Sequence, residues 1–112
     1  MRRVYNKLVR DHIPVIIQNS SKSCAIETMP DAEYRQALLE KLVEEAQEAR
    51  LAEPDELVTE LADIQEVLAA VLAAWQIVPD RVQQMKRQRH SERGGFERRL
   101  KLLWTEDGDE DV

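Results

Sequence analysis

The sequence has little of what stabilises secreted or membrane proteins. Its single cysteine, Cys24, has no second thiol in the chain, which excludes an intrachain disulfide and favours a reducing cytoplasm. The residues before Asp11 contain no long apolar run, so we expect no signal peptide. The longest apolar stretch, residues 67–75, is too short to cross a bilayer, and we expect no membrane insertion.

Aromatic residues are also scarce, at 4% of the chain. The core must therefore consist mainly of leucine, isoleucine, valine and alanine, which favours packed helices over a sheet sandwich. A chain of 112 residues is large enough for one domain with one small core. The sequence predicts an all-α helical bundle of about four helices in a single domain over residues 1–105.

Caps and helix breakers set the predicted boundaries of these helices. Asp11 is a candidate N-cap of a short first helix, with Pro14 in its first turn, ending near residues 18–21. The later helices are predicted at residues 31–52, from about 55 to 76, and from 79 to about 91.

The segments outside the helices carry two further predictions. Residues 24–28 and 96–104 have extended or loosely alternating patterns and are candidates for a short β-ribbon. Residues 106–112 include five acids and predict a disordered acidic tail.

Acidic and basic residues are segregated along the chain. Residues 27–66 contain 13 acids, whereas residues 81–101 carry eight of the 16 lysines and arginines against only two acids. This segregation suits a ligand that combines a metal ion with phosphates, although solvated helix faces often have the same bias.

The second predicted helix places acids beside its apolar face. At about 100° per residue, Glu45 falls inside a stripe that also contains Leu38 and Leu42. Glu44 and Glu48 follow on the flank of that stripe. Solvation alone does not explain acids in this position.

The third predicted helix is apolar on two sides. One stripe consists of leucines, Ile64 and Trp75, and a neighbouring flank combines Glu60 and Asp63 with Val67 and small residues. A helix of this kind usually packs against more than one neighbour, which here means its own bundle and a partner subunit.

Facing carboxylates require a positive charge between them. Two carboxylates about 5 Å apart repel by about 3 kcal/mol at an effective dielectric constant of about 20. Mg²⁺ is the natural candidate because it prefers oxygen ligands and completes its shell with water and phosphates. Zinc fits less well, since His12, His90 and Cys24 lie far from the acids in sequence.

The chain resembles a known enzyme family. Glu44-Glu45-x-x-Glu48 followed by Glu60-x-x-Asp63 is similar to the metal-binding signature of the MazG-like all-α nucleotide pyrophosphohydrolases. The opening at residues 5–11 (YNKLVRD) and the later Arg93-Gly94-Gly95-Phe96 resemble a short subgroup described as phosphoribosyl-ATP pyrophosphohydrolase-like.

The resemblance implies Mg²⁺-dependent hydrolysis between the α and β phosphates of a nucleoside triphosphate, with Mn²⁺ as a possible substitute. Glu44, Glu45, Glu48, Glu60 and Asp63 then match the metal-binding acids. One of the first three orients or deprotonates the attacking water; Glu44 is favoured, and Glu45 is the second catalytic candidate. The resemblance also implies a homodimer or homotetramer.

Basic residues are expected to bind the remaining phosphates. Guanidinium groups grip phosphate oxygens in pairs and lysine supplies a compact charge, which makes Lys86, Arg89 and Arg93 candidates. Lys7 and Arg10 match the opening motif, and either bind substrate or fix the N-terminal segment.

Three other functions compete with this interpretation. Phosphoribosyl-ATP hydrolysis in histidine biosynthesis uses the same acids and the same chemistry. A non-catalytic helical interaction module would pair its acidic and basic faces between subunits and need no Mg²⁺. Nucleic-acid binding is not expected, because the net charge is -6 and aromatic residues for base stacking are few.

Overall fold

The prediction of an all-α fold with about four helices is confirmed. The structure is a computed structural model and describes residues 1–106. Within this range the only regular elements are four helices, namely α1 (Ile13–Asn19), α2 (Asp31–Leu51), α3 (Leu57–Ala74) and α4 (Pro79–Arg93). Of the predicted disordered tail, residues 107–112 lie outside the described residues.

Two predicted helix starts need correction. Asp11 does not cap α1; the capping position is His12, which makes no side-chain cap bond, and the helix begins at Ile13. The third helix starts at Leu57 rather than near residue 55, because Pro54 to Glu56 form a turn. That turn is closed by a 2.9 Å hydrogen bond from the Glu56 amide to the Glu53 carbonyl.

The predicted β-ribbon is wrong. Neither residues 24–28 nor residues 96–104 form a strand. In the second segment the amide of Arg99 bonds to the carbonyl of Phe96 at 3.0 Å, and Arg99 has a φ of +57°. This turn interrupts the extended backbone that a strand requires. Phe96 is fully exposed, so the loose alternation does not correspond to a buried face.

The fourth helix runs two residues further than predicted. It ends at Arg93, and Gly94 follows with a φ of +81°, the left-handed conformation that glycine adopts without steric cost. None of the side chains of α4 is buried. The chain divides into two compact units, and α4 begins the second one at Pro79.

In the first unit, Met1–Val78, helices α2 and α3 form an antiparallel hairpin. The start of α2 meets the end of α3, where Arg35 Nε donates a 3.3 Å hydrogen bond to the carbonyl oxygen of Ala74. The guanidinium of Arg35 also lies 5.8 Å from the centre of the Trp75 ring. The other end of the hairpin, near the turn, holds the acids of both helices.

The contact between α2 and α3 contains the core of the described residues. Only Leu38 and Val67 are buried apolar side chains, and Glu45 is buried beside them. The predicted stripe of α2 is therefore the inward face of that helix. No single described helix is long and apolar enough to span a membrane; only α3 and α4 taken together, as a broken pair, meet that limit of length and composition.

The inward face of α3 is the flank that carries the acids. Val67 is buried, and Glu60 and Asp63 are half-buried on the same side. The leucine stripe lies about 90° further round the helix, and Leu57, Leu61 and Leu68 remain between 39% and 47% exposed. The hairpin therefore has its acids inside and a leucine surface uncovered.

Candidate metal centre

Three carboxylates converge where α2 and α3 meet. Glu45 comes from α2, and Glu60 and Asp63 come from the first two turns of α3. One oxygen from each residue can be chosen so that all three lie within 4.8 Å of one another. Because the helices run antiparallel, the second half of α2 lies opposite the first half of α3, which brings together residues 15 and 18 positions apart.

The helical repeat explains why Glu45 points inward. It lies seven residues after Leu38, two turns along the helix, so both side chains project from the same face. Glu45 is accordingly 7% exposed and Leu38 is 3% exposed. The packing that buries the leucine thus also takes the carboxylate out of water.

Two oxygens of this cluster lack any hydrogen-bond partner. They are Oε2 of Glu45 and Oε2 of Glu60, and both atoms are buried. A buried carboxylate oxygen without a donor is costly, because desolvation is not offset by a new bond. These two oxygens are therefore available to bind a ligand where the two helices are in contact.

Burial and mutual repulsion change the acidity of these groups. Desolvation first, and then the negative charge of Glu48, raise the pKa of Glu45 above its usual range, while Lys41 opposes the rise. Desolvation and the charges of Glu48 and Asp63 also raise the pKa of Glu60. Glu45 and Glu60 therefore bind protons more readily than isolated glutamates do.

The donor set fits a hard divalent cation. All three residues offer carboxylate oxygens, which are the ligands of Mg²⁺ and Mn²⁺, and no histidine or cysteine in the described part of the chain joins the group. Each pair of ionised carboxylates at this separation repels by about 3 kcal/mol at an effective dielectric constant of about 20. A divalent ion would remove that repulsion and supply partners for the two unpaired oxygens.

The other two predicted metal ligands lie at the edge of the cluster. Glu48 is exposed, yet it is close enough to raise the pKa of both Glu45 and Glu60. Glu44 faces elsewhere: its Oε1 accepts a 3.1 Å hydrogen bond from Lys7 Nζ and lies 3.8 Å from Lys41 Nζ. The geometry thus separates an inner group of three acids from two outer ones.

The N-terminal segment brings two predicted basic residues to the acids. Arg10 Nη2 donates a 2.7 Å hydrogen bond to Oδ1 of Asp63, and Nη1 lies 3.9 Å from Oε1 of Glu66. Lys7 reaches Glu44 as described above. The two residues of the opening motif therefore meet acids from both helices, 37 and 53 positions further along the chain.

Sequence reasoning overlooked Lys41 and Glu66. Lys41 Nζ is 3.7 Å from Oε1 of Glu45, one turn away on the same helix. Lys41 precedes Glu44 by three residues and Glu45 by four, and residues at these spacings are neighbours on a helix surface. The spacing alone could therefore have predicted the contact. Glu66 could have been found in the same way, three residues after Asp63.

The remaining predicted phosphate ligands belong to the second unit. Lys86, Arg89 and Arg93 lie on α4, and their side chains are exposed. Their role stays a prediction.

Comparison of the chain with protein-family models, with curated proteins and with solved structures found no match.

Proposed function

We propose that this protein is a Mg²⁺-dependent nucleoside triphosphate pyrophosphohydrolase that converts a triphosphate and water to a monophosphate and pyrophosphate. One observation carries the proposal: the carboxylates of Glu45, Glu60 and Asp63 converge from two helices, with the Glu45 side chain buried and one of its oxygens unpartnered. The proposed role is the removal of non-standard or surplus nucleotides, in the cytoplasm.

Each acid has a distinct task in this proposal. Glu45, Glu60 and Asp63 hold the cation, and Glu48, exposed next to them, completes the set from the solvent side. When bound, Mg²⁺ neutralises phosphate charge and lowers the pKa of a coordinated water. Glu44, outside the inner group, is the proposed acceptor of a proton from the attacking water; Glu45 is the alternative.

Basic side chains then bind the phosphate chain. Lys7 and Arg10 are candidates, because their side chains already lie among the acids of α2 and α3. Lys86, Arg89 and Arg93 are further candidates from α4. The guanidinium of Arg10 suits this role, because a planar group with several donors can bind two phosphate oxygens at once.

The test is a pyrophosphate-release screen over canonical and damaged nucleoside triphosphates and phosphoribosyl-ATP, with Mg²⁺ and with EDTA. We expect turnover only with the metal, and its loss in Glu45→Gln and Glu48→Gln. Glu40→Gln is the matched control, an exposed acid on the same helix that interacts with Gln36. Activity confined to phosphoribosyl-ATP would favour the histidine-pathway reaction. No metal-dependent turnover of any triphosphate would leave a non-catalytic interaction module.

We further propose that the leucine surface of α3 is covered by a second copy of the chain. The surface consists of residues 57, 61, 64, 68, 71, 72 and 75, none of which is charged. In an antiparallel pair, Leu39 and Val43 of α2 project to the same side of the hairpin, and both are exposed. Exposed apolar side chains on one side of the hairpin, beside a core of two buried apolar residues, support a homodimer or homotetramer.

A further inference from the structure

The contact between Arg10 and Asp63 places a cation of the protein on a proposed metal ligand. Arg10 Nη2 donates to Oδ1 of Asp63 at 2.7 Å, while the other arm of the guanidinium faces Glu66 at 3.9 Å. Asp63 is also one of the three acids whose oxygens meet within 4.8 Å. The same carboxylate therefore binds Arg10 and is a proposed ligand of the cation.

A cation at Asp63 and the guanidinium of Arg10 would repel each other. A divalent ion held by Asp63 would withdraw electron density from the carboxylate and place two positive charges next to the guanidinium. Arginine has only donors and remains charged at any physiological pH, so it cannot relieve the repulsion by losing a proton. Binding of the cation therefore weakens the attraction between Arg10 and Asp63.

The local structure allows the side chain of Arg10 to move while its backbone stays in place. The carbonyl oxygen of Arg10 accepts a 3.1 Å hydrogen bond from the amide of Ile13, which ties the residue to the start of α1. The side chain itself is 53% exposed, and the ion pair is accessible to solvent. Breaking it requires neither unfolding of the hairpin nor a new cavity.

We infer that Arg10 is an exchangeable counter-ion of the metal centre. Without the cation it neutralises Asp63 and Glu66; when the cation occupies the cluster, Arg10 is released and binds phosphate oxygens of the incoming substrate. This inference rests on the proposed function, and it adds an order of events. With the cation bound, the guanidinium of Arg10 would be free to bind a polyphosphate.

The inference predicts effects of opposite sign for one substitution. Arg10→Gln removes the competitor for Asp63, so Mn²⁺ without any phosphate should bind about two- to fivefold more tightly, the range of a solvent-exposed ion pair. The same variant lacks a charged phosphate ligand, so tripolyphosphate in saturating Mg²⁺ should bind about ten- to a hundredfold more weakly. A merely structural role would weaken both.

The experiment combines two titrations on the full chain. Free Mn²⁺ is followed by its electron paramagnetic resonance signal, and tripolyphosphate binding is followed by calorimetry. Arg2→Gln is the matched control, because Arg2 is exposed and has no ion pair within residues 1–106. It should leave Mn²⁺ affinity within about twofold of wild type. Arg10→Lys keeps the charge, and its Mn²⁺ affinity should stay closer to wild type than that of Arg10→Gln.

Each outcome decides the inference independently of catalysis. Tighter Mn²⁺ binding together with weaker tripolyphosphate binding in Arg10→Gln supports it. Unchanged or weaker Mn²⁺ binding overturns it, as does tripolyphosphate binding equal to wild type. If wild type hydrolyses no triphosphate, the proposed enzymatic function is wrong. The two titrations still report whether Arg10 leaves Asp63 when the cation binds and then binds phosphate.

Discussion

Glu45 of α2 and Glu60 of α3 face each other across the hairpin, and each has one buried oxygen, Oε2, without a hydrogen-bond partner. Neither residue has a basic partner that fully offsets its burial, since Lys41 reaches only Oε1 of Glu45 at 3.7 Å. A protein that kept this pair for stability alone would do better with two apolar side chains. The arrangement is instead suited to a ligand that brings positive charge.

The first prediction concerns pH in the absence of metal. Burial raises the pKa of both Glu45 and Glu60 in the folded state, so the folded chain binds more protons than the unfolded chain. The free energy of unfolding should therefore fall as pH rises from the ordinary glutamate value of 4.5 through the raised folded-state values. Urea unfolding in EDTA at several pH values measures this slope.

Glu45→Gln is the control for that slope. The variant has no proton to lose at position 45, so its stability relative to wild type should improve as pH rises through the same window. Parallel curves for the two proteins would show that Glu45 does not titrate abnormally.

The second prediction concerns stabilisation by metal. A ligand that binds only the folded state raises its stability by mass action, about 2.7 kcal/mol at a hundredfold excess over Kd. Mg²⁺ should raise the Tm of wild type and have little effect on Glu60→Gln. Glu40→Gln should respond as wild type does, because Glu40 lies outside the cluster. Equal shifts in all three proteins would point to non-specific salt effects.

The third prediction concerns the leucine surface. Leu61→Glu places a charge in the middle of the uncovered stripe of α3, where a second copy would have to bury it at a cost of several kcal/mol. Light scattering after size-exclusion chromatography should show a smaller assembly than wild type. Leu51→Glu is the comparison, since Leu51 is 81% exposed at the end of α2. An unchanged mass for Leu61→Glu would remove the leucine surface as the interface.

The fourth prediction concerns the small core. Leu38 is one of two buried apolar residues in the described range, and Leu38→Ala should reduce the free energy of unfolding by about 2–5 kcal/mol. Leu51→Ala, at an exposed site, should change it by no more than about 0.5 kcal/mol. Urea denaturation compares the two variants. A small loss at Leu38 would mean that the hairpin contact is not the main source of stability.

Helical periodicity was sufficient to predict the two long helices and the inward position of Glu45. The apolar stripe of α2 repeats at 3.6 residues, so Glu45 shares the face of Leu38 whatever the partner helix is. The inward face of α3 could not be chosen in this way, because both of its sides are apolar. Contact with α2 decides between them, and it selects the side with Glu60, Asp63 and Val67.

The local errors have a common cause. Residues 24–28 and 96–104 have extended patterns, but a short strand depends on hydrogen bonds to a partner that its own sequence does not specify. The ion pairs of Lys7 and Arg10 likewise join residues dozens of positions apart, and no helical or strand repeat relates them. Only the family resemblance pointed to these two residues.

If the proposed cation binds, the small core makes the stability of the folded protein depend on the supply of divalent ions. Within residues 1–106 only two apolar side chains are buried, and three acids converge in the same contact, so the hairpin has little reserve against the repulsion among those acids. Starvation for divalent ions should increase the fraction of open chains available to cellular proteases. The amount of this protein in a cell would then follow magnesium and manganese levels without any change in its synthesis.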